Sequence, residues 1–205
     1  MAAPKKPLPE SPSQTAGPYV HIGCMPVFSG IEGVYAEDPG SRMINAETRG
    51  ERITIHGRIF DGDGEPLRDA VVEIWQADAA GIHPSPGDAR GEADPDFRGW
   101  GRAACDFDSG EYVFETVKPG RVPWPDASTQ APHITFWIVA RGVNIGLHTR
   151  LYFDDEAEAN ADDPLLTAIE PRARAETLIA EARGEGRYRF DIYLQGPRET
   201  VFLDI

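Results

Sequence analysis

From residue 52 onward, the apolar runs of this chain are short, alternate with polar residues, and are closed off by glycine, proline or aspartate. Alternation at period two places one face of each run against a core, and β-branched and aromatic residues favour the pleated conformation. Residues 52–60 read as a strand, followed by the turn signal Asp61-Gly62-Asp63-Gly64. Residues 70–76 give a second strand, apolar on both faces through Val71, Val72, Ile74 and Trp75, and therefore central. Residues 101–107 and 111–117 are expected to pair as a hairpin around Asp108-Ser109-Gly110. Residues 133–140, 146–153, 187–194 and 199–203 complete the set. The fold class expected is all-β: an antiparallel β-sandwich of about eight strands.

Two other features interrupt that pattern. Asp163-Pro164 has the signature of a helix start, with Asp as N-cap and Pro at the first helical position. Pro171 breaks it, and residues 173–183, with Leu178, Ile179 and Ala182 on one side, predict a second short helix. At the other end, residues 1–19 carry five prolines and almost no periodicity, so an extended arm is expected there. Residues 20–50 are irregular and rich in glycine. The organisation predicted is an N-terminal arm and excursion over 1–50, then the sandwich over 51–205 with a helical insertion near 163–183.

Composition narrows the function. No apolar window reaches the length of a transmembrane helix, and the run from Met1 to Pro7 lacks the apolar core of a secretory signal. Cys24 and Cys105 make no disulfide framework and have no metal-ligand spacing, which suits a reducing, cytoplasmic setting. The net charge of −14 argues against nucleic acid, whose phosphates would be repelled. An anionic small molecule would also be disfavoured at long range, although salt screens that field over about 8–10 Å. Its capture would need a local cation.

The stretch that carries chemistry is Ala131-Pro132-His133-Ile134-Thr135. On a strand, residues i and i+2 share a face, so a His-x-His here would aim two imidazoles at one metal ion. This chain has threonine at the second position. Around it, Thr116-Val117-Lys118-Pro119-Gly120-Arg121-Val122-Pro123-Trp124 precedes and Leu147-His148-Thr149-Arg150-Leu151-Tyr152-Phe153 follows, with Glu73-Ile74-Trp75-Gln76-Ala77-Asp78 and Gly101-Arg102 upstream. Together, in this order, these segments resemble the intradiol ring-cleavage dioxygenases. The resemblance runs from about Pro7 to the C-terminus.

That resemblance implies a non-haem Fe(3+) held, in catalytic members, by two tyrosines and two histidines. The family pattern puts the tyrosines where this chain has His83 and Val122, and the histidines at His133 and Thr135. Three of four ligands are therefore replaced, and the chain is expected to bind no metal and to have no catalytic residue of its own. The runs Pro12-Ser13-Gln14-Thr15-Ala16-Gly17-Pro18-Tyr19 and Tyr188-Arg189-Phe190-Asp191-Ile192 resemble an α subunit that works beside an iron-holding β subunit. The resemblance then implies αβ protomers in a larger oligomer. It further implies cleavage of protocatechuate, with O2, between its two hydroxyls to 3-carboxy-cis,cis-muconate. The residues matching Thr15, Gly17, Pro18, Tyr19 and Arg141 would contribute to the partner's substrate pocket. No nucleic acid and no membrane enter this account. The competing reading is a structural or aromatic-acid-binding β-sandwich without a catalytic partner. A third is a two-histidine zinc or copper site at His83 and His133, against which stands a plain buried histidine at 133.

Overall fold

The computed structural model describes residues 15–17, 19–126 and 128–204. The course of residues 1–14 and the placement of Pro18, both part of the expected arm, lie outside the described residues. The strands are β1 (Arg52–Phe60), β2 (Val71–Trp75), β3 (Trp100–Ala104), β4 (Glu111–Val117), β5 (His133–Val139), β6 (Leu147–Phe153), β7 (Ile179–Ala182), β8 (Arg187–Arg189) and β9 (Ile192–Tyr193). Their order is β3-β2-β5-β6-β7-β8-β1-β4, with β9 beside β1. The first four strands make one layer and β8, β1 and β4 the other, while β7 pairs with both β6 and β8 and joins them.

Alternation decides which residues meet between the layers. Along β1, Ile53, Ile55 and Ile59 point inward; along β5, Ile134, Phe136 and Ile138 do. Phe136 meets Tyr112 and Phe114 of β4 edge-on at 5.9 and 6.3 Å between ring centroids, although β4 and β5 are not sheet neighbours. Such contacts define a sandwich core, and tilted aromatic pairs add a little beyond the area they bury. Gly57 of β1 is required by the same packing: a Cβ there would fall 1.8 Å from the Phe190 carbonyl oxygen.

The sandwich is mixed rather than purely antiparallel. β1 runs parallel to β8 and β9, and β6 runs parallel to β7. A parallel neighbour needs a long crossover, and the segment between β6 and β7 supplies it. That segment contains a 3₁₀ turn (Asp154–Glu156), α2 (Ala157–Ala161), α3 (Pro164–Ala168) and a 3₁₀ stretch (Arg172–Leu178). A further short helix, α1 (Val20–Cys24), precedes the sandwich, so short helices are more numerous than the one or two expected.

Three local expectations change. The helix predicted over 173–183 ends at Leu178 and the chain continues as β7; Leu178 and Ala180 are both buried, a spacing of two that belongs to a strand. β3 and β4 follow one another through the expected turn but do not pair: β3 borders β2, and β4 borders β1 in the other layer. Residues 187–194 divide into β8 and β9, and of 199–203 only a single bridge, Leu203 to His148, pairs as a strand would. The helix start at 163 stands as read, with the Asp163 side chain accepting from the amides of Leu165 and Leu166.

Candidate functional site: a loop-covered pocket and a distant loop cluster

Directly paired residues on neighbouring strands share a face. Thr135 pairs with Arg150 on β6 and with Trp75 on β2, and His133 pairs with Tyr152. Since Ile134 and Phe136 fill the core, these five residues occupy the opposite, outer face of the layer. Two long loops fold over it. Residues 77–99 bring in His83, and residues 118–132 bring in Val122 and Gln130. Trp75, His83, Val122, Pro123 and Gln130 line a cavity of about 350 Å³, and the Trp75 and His83 rings stack 5.8 Å apart. The four positions named from the sequence therefore gather in one region.

Buried carboxylates shape the first loop. Asp78 accepts from the amides of Ala80, Ile82 and Asp94, Asp88 from that of His83, and Asp94 from those of Arg49 and Asp96. Arg90 pairs with Asp88. That bond, together with the His83 amide, holds the Asp88 carboxyl far below the usual range. Hydrogen bonds from the Arg49 and Asp96 amides lower Asp94 likewise.

Beside the cavity, polar groups on the same outer face are tied to one another. His133 Nδ1 donates to the Ala131 carbonyl oxygen at 2.8 Å. Burial first, and then the positive charge of Arg150, pushes its pKa down to about 4, so the ring is neutral at pH 7. Arg150 Nη1 donates to Gln130 Oε1 at 2.7 Å and to the Tyr152 hydroxyl at 3.4 Å. The Tyr152 hydroxyl donates to Asp163 Oδ1 at 3.2 Å, and Asp163 Oδ2 accepts from the Ala131 amide at 2.8 Å. Burial raises the Tyr152 phenol and burial lowers the His83 imidazole, which keeps both neutral.

These residues do not fit a ferric ion. A hard trivalent cation selects anionic oxygen donors. Valine at 122 has no donor atom, Thr135 offers an un-ionised hydroxyl, and the phenol at 152 is protonated and engaged with Asp163. His83 and His133 remain as neutral imidazoles, and no cluster of three or more His, Cys, Asp or Glu able to hold a metal is found among the described residues. Of the participants, Arg150, Gln130 and Tyr152 escape a reading for ligands alone. The register of β5 on β6 across the turn at 141–146 is the signal that would reveal Arg150 opposite Thr135.

The second group of sequence-named residues assembles elsewhere. Thr15 Oγ1 donates to the Ala140 carbonyl oxygen at 3.2 Å and accepts from the Gly142 amide at 2.8 Å. Gly17 and Arg141 line a second cavity of about 340 Å³ with His21, Asp69 and Phe107. Arg141 forms an ion pair with Asp69, and its side chain is 66% exposed; Tyr19 is 75% exposed. This cluster lies just beyond the C-terminal end of β5, whereas His133 begins that strand. At about 3.3 Å per residue the two groups are roughly 25 Å apart. His56, remote from both, faces Glu111 at 3.1 Å.

A family model described as Dioxygenase matches residues 25–196. The chain is 47% identical to the protocatechuate 3,4-dioxygenase alpha chain of Pseudomonas putida, over 96% of this chain and 97% of that one. It is 37% identical to the protocatechuate 3,4-dioxygenase beta chain of Burkholderia cepacia, over 76% of this chain and 69% of that one. Among solved structures, catechol 1,2-dioxygenase from Acinetobacter sp. ADP1 superposes with a TM-score of 0.57, covering 85% of this chain and 71% of that one at 23% identity, a likeness of fold. On sequence and architecture together, the chain belongs to the intradiol dioxygenase family, on its alpha-chain side.

Proposed function

We propose that this chain is the iron-free alpha subunit of an enzyme that cleaves protocatechuate with O2 between its two hydroxyls, giving 3-carboxy-cis,cis-muconate. The observation that carries the reading is the contrast between its two clusters. The face where the family pattern places metal ligands has lost its anionic donors. The Thr15, Gly17, Tyr19 and Arg141 cluster, roughly 25 Å along β5, is built, exposed and able to face another chain.

In this reading a beta subunit holds Fe(3+), which supplies binding and activation of the catecholate. The alpha chain does the remaining work with its own groups. Thr15 pins the end of the arm to the turn after β5 through Ala140 and Gly142. Gly17 lets another group approach the backbone closely. Arg141 offers a fixed positive charge and planar donors to an anionic carboxylate, offsetting locally the net charge of −14. Tyr19, 75% exposed, is read as part of the same wall, and so by the resemblance is Pro18, which lies outside the described residues. Residues 1–50 then serve as the arm and excursion, residues 51–205 as the scaffold with its insertion near 163–183, and αβ protomers repeat into a larger, cytoplasmic assembly.

Oxygen uptake with protocatechuate tests this. The chain co-expressed with its beta partner is expected to consume O2, and the chain alone is not. Uptake by the alpha chain alone, or full uptake by the beta chain alone, would contradict it.

A further inference from the structure

The ion pair between Arg141 and Asp69 is prepared by the sheet. β2 and β5 run antiparallel with Val71 opposite Val139. Two further residues along each strand set Asp69 opposite Arg141, on the face that Val71 and Val139 share. Residues opposite one another on neighbouring strands are within reach, and opposite charges there attract. Between the two pairs, Ala70 and Ala140 are fully buried, so Asp69 and Arg141 leave the sheet from a fixed base. Thr15 adds a second restraint. Its hydroxyl bonds to the Ala140 carbonyl oxygen and the Gly142 amide, the groups on either side of Arg141.

This pair uses little of the arginine. Asp69 Oδ2 accepts from Nε, the one nitrogen of the Arg141 side chain that is bonded among the described residues. By contrast, Arg90 gives Nε and Nη2 to the two oxygens of Asp88. Arg102 commits Nε and Nη2 to Glu73 and Nη1 to the Cys24 carbonyl. Arg141 is exposed and borders the cavity shared with Gly17 and His21. An ion pair so exposed adds little stability, but it confines a long side chain that would otherwise sample many rotamers. We propose that Asp69 is the positioning residue for Arg141. It holds Nε so that the Nη end stays free for a substrate carboxylate, and thereby sets the preference of the αβ enzyme for catechols that bear one. Charge alone predicts the opposite sign, because a carboxylate beside an anion site weakens binding of the anion. Under positioning, removing Asp69 harms recognition, since the guanidinium must then be ordered when substrate binds.

The proposal rests on the reading of the chain as the alpha subunit of a protocatechuate-cleaving enzyme, and its test separates the two. Alpha–beta complexes would be prepared with the native alpha chain, Asp69→Ala, Asp69→Asn, Arg141→Ala and the Asp69→Ala, Arg141→Ala double variant. Steady-state O2 uptake would be measured with protocatechuate and with catechol, which lacks the carboxylate. Asp69→Ala is expected to lower the protocatechuate-to-catechol ratio of kcat/KM about tenfold, mostly by raising KM for protocatechuate. In the Arg141→Ala background it should add nothing, because the two residues act as one unit. Asp69→Asn, which keeps an oxygen for Nε, should recover part of the loss. An unchanged or raised ratio in Asp69→Ala, or an equal loss with Arg141 absent, would overturn the proposal. If Asp69→Ala does not assemble with the beta chain, Asp69→Asn decides. A ratio about twofold or more below native supports the proposal, and an unchanged or raised one overturns it. A native complex that consumes no O2 with protocatechuate would defeat the subunit reading, and this proposal with it.

Discussion

A single exposed guanidinium carries much of the proposed function. Arg141 is paired with Asp69 at the surface, an ion pair that adds little stability there, so its replacement should leave the fold intact. In the complex with the beta subunit, Arg141→Ala is expected to lower kcat/KM for protocatechuate about 10- to 100-fold, the worth of one charge-assisted hydrogen bond of about 1.5–3 kcal/mol. Iron content should not change. Steady-state kinetics with metal analysis checks this, and unchanged kinetics would remove Arg141 from the pocket. In the proposed reading, residues of this kind are named by type and place in the chain: valine and threonine at positions where the resemblance puts donors, and an arginine that follows a strand. Arg150 was not legible in the same way. Its bonds to Gln130 and Tyr152 follow from the pairing of β6 with β5, and a reading directed at ligands does not look for them.

At the scale of elements, strands with clean alternation were readable and their partners were not. β1 and β5 show their inward residues in the sequence because period two maps directly onto burial. The β3–β4 turn was found, yet the two strands belong to different layers, because the turn fixes only that the chain reverses. β7 was hidden by residues of good helical propensity; its parallel pairing with β6 overrides that local preference. The loop over residues 77–99 owes its shape to carboxylates held ionised by backbone amides and Arg90, which makes it acid-sensitive. The Asp88 and Asp94 carboxyls lie below their ordinary value of 3.8 in the folded chain. The unfolded loop therefore binds more protons as pH falls below about 4, and the stability these groups contribute at neutral pH is progressively lost. Amide hydrogen exchange over 77–99 should accelerate between pH 5 and about 3, relative to the intrinsic rate, before that of β5 does. Equal loss of protection in both would contradict this.

For the whole molecule, the proposed reading turns on the two clusters at opposite ends of β5, one at the positions the resemblance gives to metal ligands and one at the turn after the strand. The sheet holds the β5–β6 turn, on which Thr15 is fixed through Ala140 and Gly142, and in the proposed account that geometry serves a neighbouring chain. The fold presents Thr15 and Arg141 at the end of β5, while Arg150 bonds to Gln130 and Tyr152 at the other end of that strand. The central claim is that iron belongs to the partner and none to this chain. Elemental analysis of the purified alpha chain, and of the alpha–beta complex, tests it most directly. The account predicts less than a tenth of an iron per alpha chain when isolated, with no visible colour, and one iron per alpha–beta pair in the complex. One iron per isolated alpha chain, or two per pair, would contradict it.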